Sequence, residues 1–212
     1  MTTTTLDAAA VGSERSWSKL LAPLGGLGIV AGLSPAGDDA GETPREVVAH
    51  AAMHEGWSAA TAIFGLLSLA LGGLFVAGLH SRLQGSLTAT GSALILIGGI
   101  AFTLCFALAL TIWTAPLLDM PDETARALAA AEAYLTFDDI GWFLLGGAGV
   151  GAALMAVPAS LAALRSRSVP AWLGWLGVVL GVGSLATVAF FGMFAWMAWI
   201  AVASIALLVD RR

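Results

Sequence analysis

Charge is what this sequence has least of. Only 11% of its 212 residues are Asp, Glu, Lys or Arg, while 58% are apolar. A soluble domain is typically ~25% charged and ~45–50% apolar. So few charges cannot cover a water-soluble globule of this size, and the mean hydropathy of +0.90 points the same way, to lipid as the solvent. Cysteine is nearly missing too. Cys105 stands alone inside an apolar stretch, which excludes an intrachain disulfide and leaves it a small buried hydrophobe. No stripe of Lys and Arg exists to bind nucleic acid. The apolar runs do not alternate with polar residues, as the ~10-residue strands of a membrane barrel would. Long helices, whose backbone groups pair within the segment, are the remaining way to cross hydrocarbon.

One further absence bears on function. The interiors of the apolar segments hold no Asp, Glu, Lys, Arg or His; His80 lies at an end. Proton relays, ion-coupled transport and voltage sensing depend on such residues within the membrane. The sequence therefore argues against a proton-driven pump or a charge-lined channel. It leaves open the passage of apolar or lipid-like molecules.

What is present is a series of apolar segments, each near the ~20 residues a spanning helix needs. The first runs from about Trp17 to Leu33, weakened as a helix by Pro23 and the glycines from Gly25 to Gly32. The second is Trp57–Leu79, free of charge throughout. The third is Leu87–Leu110, and the fourth begins near Ile140 and reaches Leu164. Residues 171–209 carry no charge, and that length suits two helices turning near Phe190–Gly192. The expectation is an all-α polytopic transmembrane bundle of about six spans. Residues 1–16 would form a disordered cytoplasmic tail and 17–212 a single domain. Arg15 and Lys19 before a short apolar run ending in Ser34-Pro-Ala-Gly37 also fit a secretory signal. The long polar lead and the glycines favour a retained span. Cleavage would leave five spans in the same orientation.

Lys and Arg collect on the cytoplasmic side of membrane proteins. Under six spans, Arg15, Lys19, Arg82, Arg165, Arg167, Arg211 and Arg212 share one side, and Arg45 and Arg126 the other. That places both termini in the cytoplasm of a cell-membrane protein. The acidic residues from Asp38 to Glu55 and from Asp119 to Asp139 fall on the opposite, outer side. Trp17, Trp57, Trp113, Trp142, Trp172 and the pair Trp196 and Trp199 are read mostly as interface anchors near span ends.

Two outer segments look helical. Thr43-Pro-Arg-Glu46 has the form of a capping box, with Thr43 as N-cap and Glu46 reaching back. A helix beginning there sets Glu46, His50 and His54 roughly on one face, a workable arrangement for a metal ion, with Asp138 and Asp139 as further ligands. The plainer reading makes both histidines interfacial polar residues, and an H-x3-H spacing alone is a weak signal. The second segment, Pro121 to Thr136, has Asp122 and Glu123 in its first turn, with Arg126 placed to pair with both. Together the two would form short outer helices capping the bundle.

Gly147-Ala-Gly-Val-Gly151 follows no strand and is no nucleotide loop. With Gly28-x3-Gly32 and Gly177-x3-Gly181 it reads instead as a small-residue face for close helix approach. Pro158 should kink the fourth span.

At the fourth-to-fifth junction stands Arg165-Ser-Arg-Ser-Val-Pro-Ala-Trp-Leu-Gly-Trp-Leu-Gly177, followed by Gly181, with Asp139-Ile-Gly-Trp-Phe-Leu-Leu-Gly146 upstream. Over roughly 57–209 the chain resembles the bacterial membrane proteins grouped as domain of unknown function 4386, and it departs from them in its Thr-rich lead and weak first span. The resemblance implies a six-helix fold and carries no chemistry. The functional expectation is a structural or accessory membrane protein, not an enzyme, acting through helix packing or lipid contact. Its partners would be the bilayer and a second copy or another membrane protein. The alternatives are an outer-face metalloenzyme on Glu46, His50 and His54, and a carrier of apolar or lipid-like molecules. Outside that metal reading, no cofactor is expected.

Overall fold

A computed structural model describes residues 20, 22–30, 41–53, 55–115, 124–189 and 191–209. Among these residues there is no strand; the protein is all-α. In chain order the helices are α1 (22–30), α2 (Pro44–Met53), α3 (Glu55–Leu83), α4 (Ala89–Thr114), α5 (Thr124–Ser166), α6 (Ala171–Gly183) and α7 (Phe191–Val209). A short 3₁₀ segment, Ser184–Ala189, joins the last two, so the break in this run comes earlier than the expected Phe190–Gly192, and Phe191 and Gly192 already belong to α7. Among the described residues, four stretches are long and apolar enough to cross a bilayer: Ala59–Leu83, Ala89–Thr114, Ala125–Ser166 and Phe191–Val209. The apolar stretch Ala171–Thr187 is shorter.

Between helices in lipid there is no water to expel, so van der Waals fit decides which faces meet. The tightest seam joins α4 to α5, and glycine makes it. A Cβ on Gly98 would stand 2.7 Å from the Gly151 carbonyl oxygen and 2.8 Å from the Met155 nitrogen. A Cβ on Gly151 would meet the Phe102 backbone, and one on Gly147 would sit 3.1 Å from the Cys105 sulfur. The Gly147/Gly151 face thus packs as its spacing predicts. Gly177 and Gly181 likewise let α6 lie on α5 at Ser160, Ala156 and Val157. The glycines that weaken α1 have a similar use: Gly25 lies against the α3 backbone at Leu71 and Phe75, and Gly28 against the Leu71 side chain. Gly32 falls outside the described residues.

The core is aromatic. Trp196 is fully buried and meets Phe102 and Phe106 edge-on at 5.1 and 5.6 Å; Trp199 meets Phe75 at 6.0 Å. Both tryptophans are interior residues, which corrects their reading as interface anchors. A helix that is apolar all round carries no sequence mark of its inward face. Several hydroxyls within the long helices donate to their own backbone, among them Thr103 to Gly99 O and Thr111 to Ala107 O, both at 2.8 Å. The outward faces carry Ile63, Leu66, Ile97, Ile100 and Leu104, each about half exposed or more, as lipid contact requires.

The outer segment read as a separate helix at 121–136 differs from expectation. From Thr124 it is continuous with the fourth apolar run, forming a single helix of 43 residues. Ala-rich sequence with neither Gly nor Pro between Thr124 and Ile140 gives the chain no reason to stop. The helix also continues through Pro158. Asp122 and Glu123, and hence their pairing with Arg126, lie outside the described residues.

Candidate functional site

The two ends of the bundle are built differently. At the acidic end, α2 begins with the capping box. The Glu46 carboxylate accepts the Thr43 and Glu42 N–H groups, both at 3.0 Å, and the Thr43 hydroxyl accepts the Glu46 N–H at 3.4 Å. This holds the helix so that Val47 and Ala51 are buried, with Val47 against Ala131, Tyr134 and Leu135 of α5. Nearby, the Trp113 indole N–H donates to the Asp138 carbonyl at 3.4 Å, and its ring meets Trp142 edge-on at 5.4 Å.

Of the candidate metal ligands, Glu46 is exposed and one of its oxygens is engaged in the capping box. His50 and Asp138 are half-buried on adjacent helices, and Asp139 is exposed. His54 lies outside the described residues. Among the described residues, no three His, Cys, Asp or Glu side chains gather closely enough to hold a metal ion.

The arginine-bearing end is hollow. A cavity of about 410 Å³ opens between α3, α5, α6 and α7. Its mouth is polar, formed by Arg82 at the end of α3, Ser86 in the following turn, Ser166 at the end of α5 and Ser168 just beyond it. Its walls are apolar, with Leu79, Leu83, Ala163, Leu173, Ala203 and Leu207 among them. At its depth the Trp199 indole N–H donates to the Ser160 hydroxyl at 3.2 Å. Gly177 permits that meeting of α5, α6 and α7, since a Cβ there would stand 3.1 Å from the Ser160 Cβ and 3.3 Å from the indole nitrogen. Trp199 sits near the middle of α7, so the cavity penetrates about half the length of that helix. Next to the mouth, His80 and Ser92 share a 2.7 Å hydrogen bond that ties the end of α3 to the start of α4.

Volume and lining together match small-molecule sites, which are mostly apolar clefts of ~300–1,000 Å³ with a few placed polar groups. Such a site can retain an apolar body and present donors to a polar end. Sequence reasoning assigns Arg82 to the charge bias and Trp199 to the interface, so it misses both as lining residues. The one available signal is the segment 165–177, singled out for its motif: Ser166, Ser168, Val169, Leu173, Gly174 and Gly177 all line the cavity. In comparisons with known proteins, no family model, curated protein or solved structure matches the chain.

Proposed function

We propose that the protein is a six-span membrane protein that binds an apolar or lipid-like molecule in the cavity at its arginine-bearing end and carries it there. The cavity supports this reading over a purely structural role. Its walls suit acyl or other hydrocarbon, its mouth is wet and polar, and it extends half-way along α7. The Gly147/Gly151 and Gly177/Gly181 faces, which would otherwise serve a membrane partner, are used up inside the chain.

Two further spans join the four in this proposal. The apolar stretch Ala171–Thr187 contains the 13-residue α6, about 20 Å of helix at 1.5 Å per residue, followed by the 3₁₀ turn. α1 contributes Ile29, 1% exposed, to the main core, which supports its retention as a span. Arginine bias puts the cavity mouth and both termini in the cytoplasm. The likeness to the domain of unknown function 4386 family belongs with this proposal, because the motif carrying it forms one side of the mouth. A reporter fused after residue 84 should face the cytoplasm and one after 128 the outside; the reverse result ends the orientation.

The binding test is native mass spectrometry of detergent-purified protein. It should show one lipid-like adduct, absent from Ala203→Phe, which fills the cavity. Adduct-free wild-type protein, or an adduct unchanged by Ala203→Phe, would sink the reading.

A further inference from the structure

The inner end of the cavity narrows the class of molecule. We infer that the ligand carries a carbonyl oxygen, which enters first and accepts a hydrogen bond from the Ser160 hydroxyl, while its hydrocarbon lies along the apolar walls. This rests on the reading of the cavity as a site for an apolar or lipid-like molecule.

The first ground is an unspent donor. A serine hydroxyl offers one hydrogen and two lone pairs. Elsewhere in the bundle that hydrogen stays within the helix: Thr103, Thr111, Thr114 and Ser184 each donate to the carbonyl four residues back. Ser160 differs. Its oxygen accepts the Trp199 indole N–H at 3.2 Å, and among the described residues its own hydrogen meets no acceptor. Ser160 is 6% exposed, and what remains open lines the cavity. Its hydrogen therefore turns to whatever occupies the depth, water or ligand. A ligand that displaces water there either accepts this hydrogen or strands a buried donor.

The second ground is how the depth is built around that hydroxyl. An indole N–H only donates, so Trp199 engages a lone pair of Ser160 and leaves the hydrogen available. Bonds in such a chain polarise one another, which makes Ser160 a better donor than a lone hydroxyl. Gly177 also lines the cavity here, and a Cβ on it would collide with the Ser160 oxygen, so glycine keeps the approach clear. Toward the mouth the side chains of Ala163, Leu173, Ala203 and Leu207 are hydrocarbon. A chain molecule with an accepting oxygen at its leading end meets both demands. A carbonyl does so without bringing a further hydrogen that would need a partner of its own.

The test compares saturable binding of methyl nonyl ketone and of its methylidene counterpart, in which CH2 replaces the carbonyl oxygen, to the full chain in neutral detergent. The ratio of the two affinities is compared between variants, so that partition into micelles cancels. Ser160→Ala alone would free the Trp199 N–H to take over, so the change is made in a Trp199→Phe background. Trp199→Phe should keep the ketone preference. Adding Ser160→Ala should lower the ratio about fivefold, the size expected of one neutral hydrogen bond, with alkene binding retained as the check on folding. The carbonyl stretch of isotope-labelled ketone bound to the wild type should also fall below its frequency in micelles alone. A ratio unchanged by Ser160→Ala, or an unshifted stretch in the wild type, overturns the carbonyl assignment and leaves the lipid-like site standing. If the double variant binds neither ligand, the wild-type stretch decides. Saturable binding of neither ligand to the wild type overturns both readings.

Discussion

α5 runs through two environments, and the comparison between its halves is instructive. Before Pro158, the segment from Gly147 to Met155 presses on α4 so closely that no Cβ fits at Gly98 or Gly151 without displacing its neighbours. After Pro158, Ala159, Ser160, Ala163 and Ser166 line an open cavity. Both halves are built of small residues. Small side chains therefore permit close approach without commanding it: before Pro158 the α4 and α5 backbones touch at their glycines, whereas after Pro158 the α6 glycines meet α5 at Ser160 and Leu164 and a void still remains beside that contact. In lipid this is expected, because apolar side chains lose little by facing hydrocarbon instead of one another.

Substitutions along α5 can break or sharpen that contrast. The largest effect belongs to Gly151→Val, whose branched side chain would be driven into the Phe102 backbone. Overpacking of this kind costs about 3 kcal/mol, read as a fall in the unfolding midpoint in detergent. A midpoint within error of wild type would mean that the seam is looser than its geometry indicates. Next comes Ser160→Ala, which leaves the Trp199 indole N–H unpartnered at the cavity's depth. A loss of about 1–2 kcal/mol is expected, with a Trp199→Phe background removing most of it in a double-mutant cycle. Additive losses would show that the 3.2 Å hydrogen bond contributes nothing. The smallest effect, of opposite sign, belongs to Ala163→Val. Two added methyl groups there project into the void and raise stability by about 0.5–1 kcal/mol, while weakening ligand uptake. A loss as large as that of Gly151→Val would erase the distinction between the halves.

Much of the fold was legible from residue order. The charge-free runs place the long helices, a break within 171–209 follows from the length of that run although it falls at Ser184–Ala189 and not at Phe190–Gly192, and Thr43-Pro-Arg-Glu46 forms the capping box its spacing implies. Three things were not. The continuity of α5 past Thr136 depends on the absence of any stop signal, which is harder to read than its presence. The burial of Trp196 and Trp199 leaves no trace in a helix apolar on every side. The cavity is a property of the spacing between helices: Ala159-Ser-Leu-Ala-Ala163 resembles the packed segment Gly151-Ala-Ala-Leu-Met155 closely enough that composition does not separate wall from seam. For the candidate metal ligands, sequence placed His50 and Asp138 at the same end, and α2 does dock on α5 there, within about one turn of Asp138. What spacing could not convey is that, among the described residues, no three such side chains come together.

At 1.5 Å per residue, the 43 residues of α5 reach about 65 Å, roughly twice the ~30 Å of a bilayer's hydrocarbon. One rod thus bears the docked α2 near one tip and a cavity wall near the other, with the glycine seam against α4 between them, so a single helix spans both differently built ends of the bundle.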